Sequence, residues 1–311
     1  MTALISGSMA FDTVMQFDDK FKNHILPDQL DILNISFLAP SMTRNFGGCA
    51  GNISFNLNLL GGHGIPLATV GSDFSIYFDW IKKNKISSNG IYEIEDEYTA
   101  QAFITTDTDN NQITTFHPGA MNFSHINKIN TFEGISIGIV SPDGRQGMIE
   151  HSNQFHELEI PFIFDPGQGM PMFDGDELNK FVEQASWLAF NDYEAKLMEE
   201  RTNISMENHA KKVNAVIVTH GNKGSTILTG GSSIEIPPAP IDIANDPTGC
   251  GDAYRSGLIF GLMNNLDWEI TGRVASLMGA IKVEKKGSQN HSFNKNYFYS
   301  RFYDSFKISL D

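Results

Sequence analysis

The sequence predicts an α/β fold: a mostly parallel central sheet with helices on both faces, and a small second β-sheet beside it. Three observations lead there. Short apolar runs ending in glycine or a polar residue recur along the chain, as in ALISGS, IPLATVGSD, ISIGIVSPD, IPFIFDPGQG, ASWLAFNDYEA and NAVIVTHGNKG. Helical patterns fill several gaps between them, and that alternation implies parallel strands covered on both faces. Two β-rich segments, about 10–48 and 98–120, interrupt the alternation.

The elements follow in order. ALISGS (3–8) is an apolar run closing on glycine and serine, a buried strand. Residues 9–48 hold ILPDQLDILNISFLAP and MTRNFGG, with prolines and alternating apolar positions, so irregular structure and strands are expected there. AGNISFNLNLLGG (50–62) places Ile53, Leu57 and Leu60 at helical spacing and ends on two glycines. IPLATVGSD (65–73) is a second strand, and FSIYFDWIKKNK a helix. In TAQAFITTDTDNNQITTFHPGAM two β-rich runs flank Asp109, Asn110 and Asn111, a hairpin signal. The expected division is a main α/β body of 1–9, 49–97 and 121–311, and a small β unit of 10–48 and 98–120.

Composition narrows the function classes. A chain of 311 residues with 41% apolar and 19% charged residues suits a soluble globular protein of about two structural units. A formal net charge of −15 repels nucleic acid and anionic membranes, so neither is an expected partner. The two cysteines, Cys49 and Cys250, sit in glycine clusters without zinc spacing, which suits a reducing compartment. MTALISGSMAFD has no charged region ahead of its apolar run, so it does not read as a signal peptide. No apolar run approaches the roughly 20 residues of a membrane-spanning helix. A cytoplasmic location is the expectation.

Ligands of open α/β sheets bind at the carboxyl ends of the strands. Ser8, Asp12, Asp165, Gln168, Asn191, Asp192, Glu194, Thr219 and Asp252 are expected to collect along that rim. The most informative stretch is NDPTGCGDAYRSG (245–257), where a glycine turn opens an apolar periodic run. By itself it reads as a turn whose Asp252 caps a helix, or as an anion site. The first amides of a helix lack partners within it and carry the positive end of its dipole. A carboxylate beside such amides suits phosphoryl transfer, the amides holding charge and the aspartate taking a hydroxyl proton. There is no GxxxxGK[ST], so a P-loop enzyme is disfavoured.

DPTGCGDAYRSG closely resembles the C-terminal signature of the ribokinase/PfkB family of carbohydrate and nucleoside kinases. FGGCAGNISFNLNLLGG is similar to its N-terminal signature, NDYE to its Asn-x-x-Glu element and VTHGNKG to its nucleotide-loop strand. The four stand in the family's order across essentially the whole chain. GSMAFD, ILPDQL, NISFL, TTFHPGAM and FIFDPGQG resemble the bacterial adenosine kinase-like nucleoside kinase branch. The resemblance implies a ribokinase-like three-layer sandwich in which the small β-sheet is a lid.

It also implies roles. Asp252 is the catalytic base, and the backbone amides of Gly249, Cys250 and Gly251 are the anion hole. Asp12, Gly48 and Asn52 hold the ribose. By the residues alone, Asp12 begins a turn and Asn52 caps a helix. Ser8, Ser36, Phe116 and Gln168 lie near the nucleobase, and Ala102 stands where relatives can present an aromatic, which opens the pocket toward inosine or guanosine. Asn191, Thr219, Gly221 and Gly224 lie along ATP, Glu194 organises Mg2+ partly through water, and Asp246 with Thr248 marks a site for K+. Arg255 is expected on the helix surface, and Cys250 as a small packing residue. The implied activity is an ATP-dependent purine nucleoside 5′-kinase. A sugar kinase of the same fold and a non-catalytic nucleotide sensor are the alternatives. A homodimer is open, since the lid is a dimer interface in some members.

Overall fold

A computed structural model describes residues 1–25, 31–32 and 34–310. In chain order the strands are β1 (Thr2–Ser6), β2 (Ala10–Gln16), β3 (Ser41–Gly47), β4 (His63–Gly71), β5 (Ile91–Ile94), β6 (Ala100–Thr106), β7 (Gln112–His117), β8 (Ile135–Val140), β9 (Phe162–Phe164), β10 (Trp187–Asn191), β11 (Ala215–Thr219), β12 (Ser225–Leu228) and β13 (Ser233–Ile236). The helices are α1 (Cys49–Leu59), α2 (Ser75–Lys83), α3 (Arg145–Glu157), α4 (Gly175–Gln184), α5 (Asp192–Thr202), α6 (Met206–His209), α7 (Cys250–Met263), α8 (Trp268–Val283) and α9 (Lys295–Phe306).

The main sheet has nine strands in the order β13-β12-β11-β10-β9-β8-β1-β4-β5. All pairings from β11 to β5 are parallel, and β12 and β13 add an antiparallel edge. The continuous apolar runs now have a cause: both faces are covered, so successive side chains enter different cores. Ile5, Ile139, Ala189 and Ile217 pack with Ile53 and Leu57 of α1 and Leu258 of α7. Their neighbours Leu4, Val140, Leu188 and Val216 pack with Met148 of α3, Phe181 of α4 and Met198 of α5. Helices on both faces of one sheet make a three-layer α/β arrangement, the architecture the resemblance implies.

The second sheet has four strands in the order β3-β2-β6-β7, with β2 and β6 parallel. Its register sets up one row. Asn45, Asp12, Ala102 and Phe116 stand directly opposite one another across the four strands. Opposed residues share a sheet face, so these side chains line the same side. The β6–β7 hairpin turns at Asn110, whose φ is 62°, and Asp107 accepts from the amides of Asp109 and Asn111 at 2.9 and 2.8 Å. Of ILPDQL, only Ile25 falls among the described residues. Residues 34–39, which include Ser36, adopt no regular element.

The small sheet joins the body at Gly48. Its φ is +84°, and a Cβ there would lie 2.5 Å from the Ser8 carbonyl. Only glycine meets both demands.

Candidate active site

The rim is assembled by two helix starts facing each other. Gly48 precedes α1 and Gly249 precedes α7, and both glycines have positive φ, 84° and 78°. The turn into α7 therefore takes a left-handed residue at its cap. Asp252 is the third residue of α7 and makes no cap: the cap residue is Gly249, and no side chain bonds there. Asn52 likewise is no cap, but a buried residue in the first turn of α1.

These two side chains meet. Asn52 Nδ2 donates to Asp252 Oδ2 at 2.7 Å across 200 positions of sequence. Asn52 is itself held, its Oδ1 accepting from Gln289 Nε2 at 2.9 Å. Gln289 Nε2 also reaches the Tyr77 hydroxyl at 2.6 Å, and Gln289 Oε1 accepts from Trp80 Nε1 at 2.8 Å. Tyr77 donates to the Gly47 carbonyl at 2.9 Å, so the small sheet is tied into the same chain of bonds. Sequence reading missed Tyr77, Trp80 and Gln289. No local motif marks them, because their partners lie far away in the chain.

Burial raises the Asp252 pKa to about 6; Asp165 adds to the rise, while Asn52, Arg255 and Cys49 oppose it. Asp12 is raised to about 6 as well, by burial and then by the negative charge of Asp246. Its carboxylate packs on Gly47, where a Cβ would fall 2.5 Å from Oδ2. Asp165 closes β9 and pairs with Arg255 at 3.0 Å, both side chains buried. Arg255 thus corrects the expectation of a surface arginine. Its helix packs between α1 and α8, so a position three residues past Asp252 points inward, and the charge is accommodated by pairing.

The remaining expected residues fall as follows. Ser8 braces the start of α1: its Oγ accepts from the Cys49 amide at 3.2 Å and its carbonyl from the Ala50 amide at 2.9 Å. Of the anion-hole amides, that of Cys250 donates to the Pro247 carbonyl at 3.1 Å. Gly251 faces open space, with nothing within 4 Å of a Cβ built there. Burial pushes the Cys250 thiol up to about 11 and raises Cys49, so neither is a thiolate nucleophile near neutrality. Both are free thiols.

Asn191 and Glu194 form a capping box on α5. Glu194 accepts from the Asn191 amide and from Asn191 Nδ2, each at 2.8 Å, and Asn191 Oδ1 accepts from the Glu194 amide at 2.9 Å. Burial, then Asp165, raises Glu194. Thr219 ends β11 and donates to the Phe190 carbonyl at 3.3 Å. Gly221 and Gly224 have φ of +58° and +96°, and a Cβ on Gly224 would lie 2.1 Å from the Ile236 carbonyl. His220 beside them meets Asp192 Oδ1 at 2.5 Å and Thr226 Oγ1 at 2.8 Å, a bracket the sequence did not flag. Gln168 is exposed just past Asp165, Phe116 is 49% exposed, and Ser36 is exposed. Asp246 accepts from the Thr248 amide at 2.9 Å and the Gly287 amide at 2.8 Å.

A family model for pfkB family carbohydrate kinases matches residues 14–295. The chain belongs to the pfkB family of carbohydrate kinases. It is an ATP-dependent kinase with a hydroxyl acceptor. Its relatives include a nucleoside kinase of Methanocaldococcus jannaschii, 33% identical over 83% of this chain and 85% of that protein. Among solved structures, Burkholderia thailandensis nucleoside kinase in complex with inosine superposes with a TM-score of 0.90 at 44% identity, covering 99% of each chain. The Methanocaldococcus jannaschii nucleoside kinase structure gives 0.89 at 28% identity, covering 97% of this chain and 98% of that one.

Proposed function

We propose that this pfkB kinase transfers the γ-phosphoryl of ATP to the 5′-hydroxyl of a purine nucleoside. The observation that carries the reading is the 2.7 Å bond between Asn52 and Asp252. It brings a polyhydroxyl-binding amide and a base of raised pKa to one point at the start of α7. Asp252 takes the hydroxyl proton there. The amides of Gly249 and Gly251 hold charge on the moving phosphoryl, and Gly251 leaves their approach open. The Cys250 amide joins them only by leaving Pro247.

The nucleoside lies against the Asp12 row of the small sheet. Asp12 and Asn52 bind the ribose hydroxyls, since a carboxylate accepts two hydroxyls and an amide both donates and accepts. Phe116, exposed and two strands from Asp12 in the same row, stacks on the base. Ala102 between them leaves room, which favours inosine and guanosine beside adenosine. Segments 10–48 and 98–120 act as the lid over the body of 1–9, 49–97 and 121–311, with Ser8, Ser36 and Gln168 at the base edge. Closure excludes water and suppresses ATP hydrolysis. ATP lies along Asn191, Thr219, Gly221 and Gly224.

Among the described residues no group of three or more His, Cys, Asp or Glu is placed to hold a metal. Glu194 already spends both carboxylate oxygens on Asn191. This fits Mg2+ carried by the phosphates and reached from Glu194 through water. When bound, Mg2+ neutralises phosphate charge.

A coupled ATP-consumption assay with adenosine, inosine, guanosine, ribose and fructose tests the reading. Turnover is expected with the nucleosides. Preference for ribose or fructose would make it a sugar kinase, and tight nucleoside binding without turnover would make it a sensor.

A further inference from the structure

We propose that Lys282 supplies from within the chain the positive charge expected of K+ beside the anion hole, so that this kinase works without a monovalent cation. The inference rests on the kinase reading of the α7 start.

Lys282 lies near the end of α8 and is wholly buried. Its ammonium has three donors. It donates to the Asp246 carbonyl at 2.7 Å and the Lys285 carbonyl at 3.2 Å. Asp246 Oδ2 lies 3.9 Å away. Two carbonyls and a carboxylate converging on one point are the oxygen donors a hard cation takes. Here that point is filled by a side chain.

The surrounding bonds involve the same loop and turn that Lys282 touches. The amides of Asn245 and Asp246 donate to the Val283 carbonyl at 2.8 and 3.0 Å. Asp246 Oδ2 accepts from the Gly287 amide at 2.8 Å, and Oδ1 from the Thr248 amide at 2.9 Å. The loop entering α7 and the turn leaving α8 are therefore clasped together, with Lys282 at the centre of the clasp. Gly249, left-handed at the cap of α7, follows Thr248 directly. Lys282 is a positioning residue: it fixes the loop that aims the amides and does not touch substrate.

K+ does not fit beside it. An ion bound by the Asp246 carbonyl, the Lys285 carbonyl and Asp246 Oδ2 would occupy the place of the ammonium. A second cation sharing these oxygens would be repelled at close range.

The test has two arms, both in the whole protein with saturating Mg2+. In the first, wild-type turnover is measured with K+, with Na+ and with tetramethylammonium as the sole monovalent cation. Rates equal within about twofold are expected, and a requirement for K+ would overturn the proposal. In the second, Lys282→Ala opens the position. Loss of kcat by about a hundredfold is expected, with recovery on adding K+ or ammonium. A folded Lys282→Ala enzyme that keeps full kcat in tetramethylammonium overturns the proposal, as does one that neither ion restores. Should Lys282→Ala fail to fold by circular dichroism, the first arm still decides. Asp252→Asn in the same assay separates the two readings: if it turns over normally the base assignment fails, whatever the cation series shows.

Discussion

Asp252 and Glu194 occupy matching places. Each is the third residue of a helix that starts at the carboxyl rim of the sheet, and burial raises the pKa of each. Their bonding differs. Glu194 closes a capping box and spends its oxygens on Asn191, fastening the start of α5. Asp252 fastens nothing, because Gly249 caps α7 without a side-chain bond. It takes side-chain bonds from Asn52 and Cys49, both on another helix. One helix start is completed by its own carboxylate. The other has no side-chain cap, and its carboxylate is bonded by residues of a different helix.

The sharpest way to break this comparison is to neutralise each carboxyl in turn. Asp252→Asn is expected to lower kcat by about 10²–10⁴, the range for a positioned general base. Nucleoside affinity and thermal stability should change little, since the new amide oxygen still accepts from Asn52. Glu194→Gln keeps an oxygen for the Asn191 amide but sets its own amide nitrogen against Asn191 Nδ2, so it loses one of the two bonds. It is expected to cost about tenfold or less, mainly in KM for ATP. Steady-state kinetics with binding measured by calorimetry would check both. Equal losses of kcat would erase the distinction between the two helix starts.

The pH dependence sharpens the same point. A base must be ionised in the free enzyme, and the Asp252 pKa is raised to about 6. So kcat/KM should fall as pH drops through about 6 and be level above it. Asn52 does most to hold that carboxyl down. Asn52→Ala should therefore move the midpoint upward, separately from its loss of ribose binding. A pH–rate profile unmoved by Asn52→Ala would show that the titrating group lies elsewhere.

What could be read from the sequence was local. The strands β1, β4, β8, β9, β10 and β11 announced themselves because they are apolar on both faces, as Leu4 and Ile5 or Val216 and Ile217 illustrate. The short outer strands β5, β12 and β13, which carry polar residues, were not read. The turn at Gly249 and the Asn-x-x-Glu element at 191–194 were legible because each is a local motif, although the latter was read for its ligands and not as the capping box it forms. Arg255 was misread because charge on a helix is usually solvated, and nothing near AYRSG names Asp165, ninety positions away, as its partner. Lys282 sat unnoticed in IKVEKKG, a stretch that reads as a solvated run of charge. Gln289 gave no signal either: its partners Asn52 and Tyr77 are more than 200 positions distant. The glycine turn into α7 was visible early; the distant side chains that hold it in place were not.

The smallest expected effect concerns the far end of the Asp12 row. Phe116 is exposed at 49% on an edge strand, and Ala102 separates it from Asp12. Phe116 shares its sheet face with the half-buried carboxylate of Asp12. If it stacks on a base, Phe116→Ala removes about 1–3 kcal/mol of binding, seen as a rise in nucleoside KM with kcat nearly unchanged. Such a split marks uniform binding, in contrast to the kcat loss expected at Asp252. Ribose, which has no base, should be indifferent to the change. A Phe116→Ala enzyme with unaltered nucleoside KM would move the base off this row and leave only the ribose end of the Asp12 face in use.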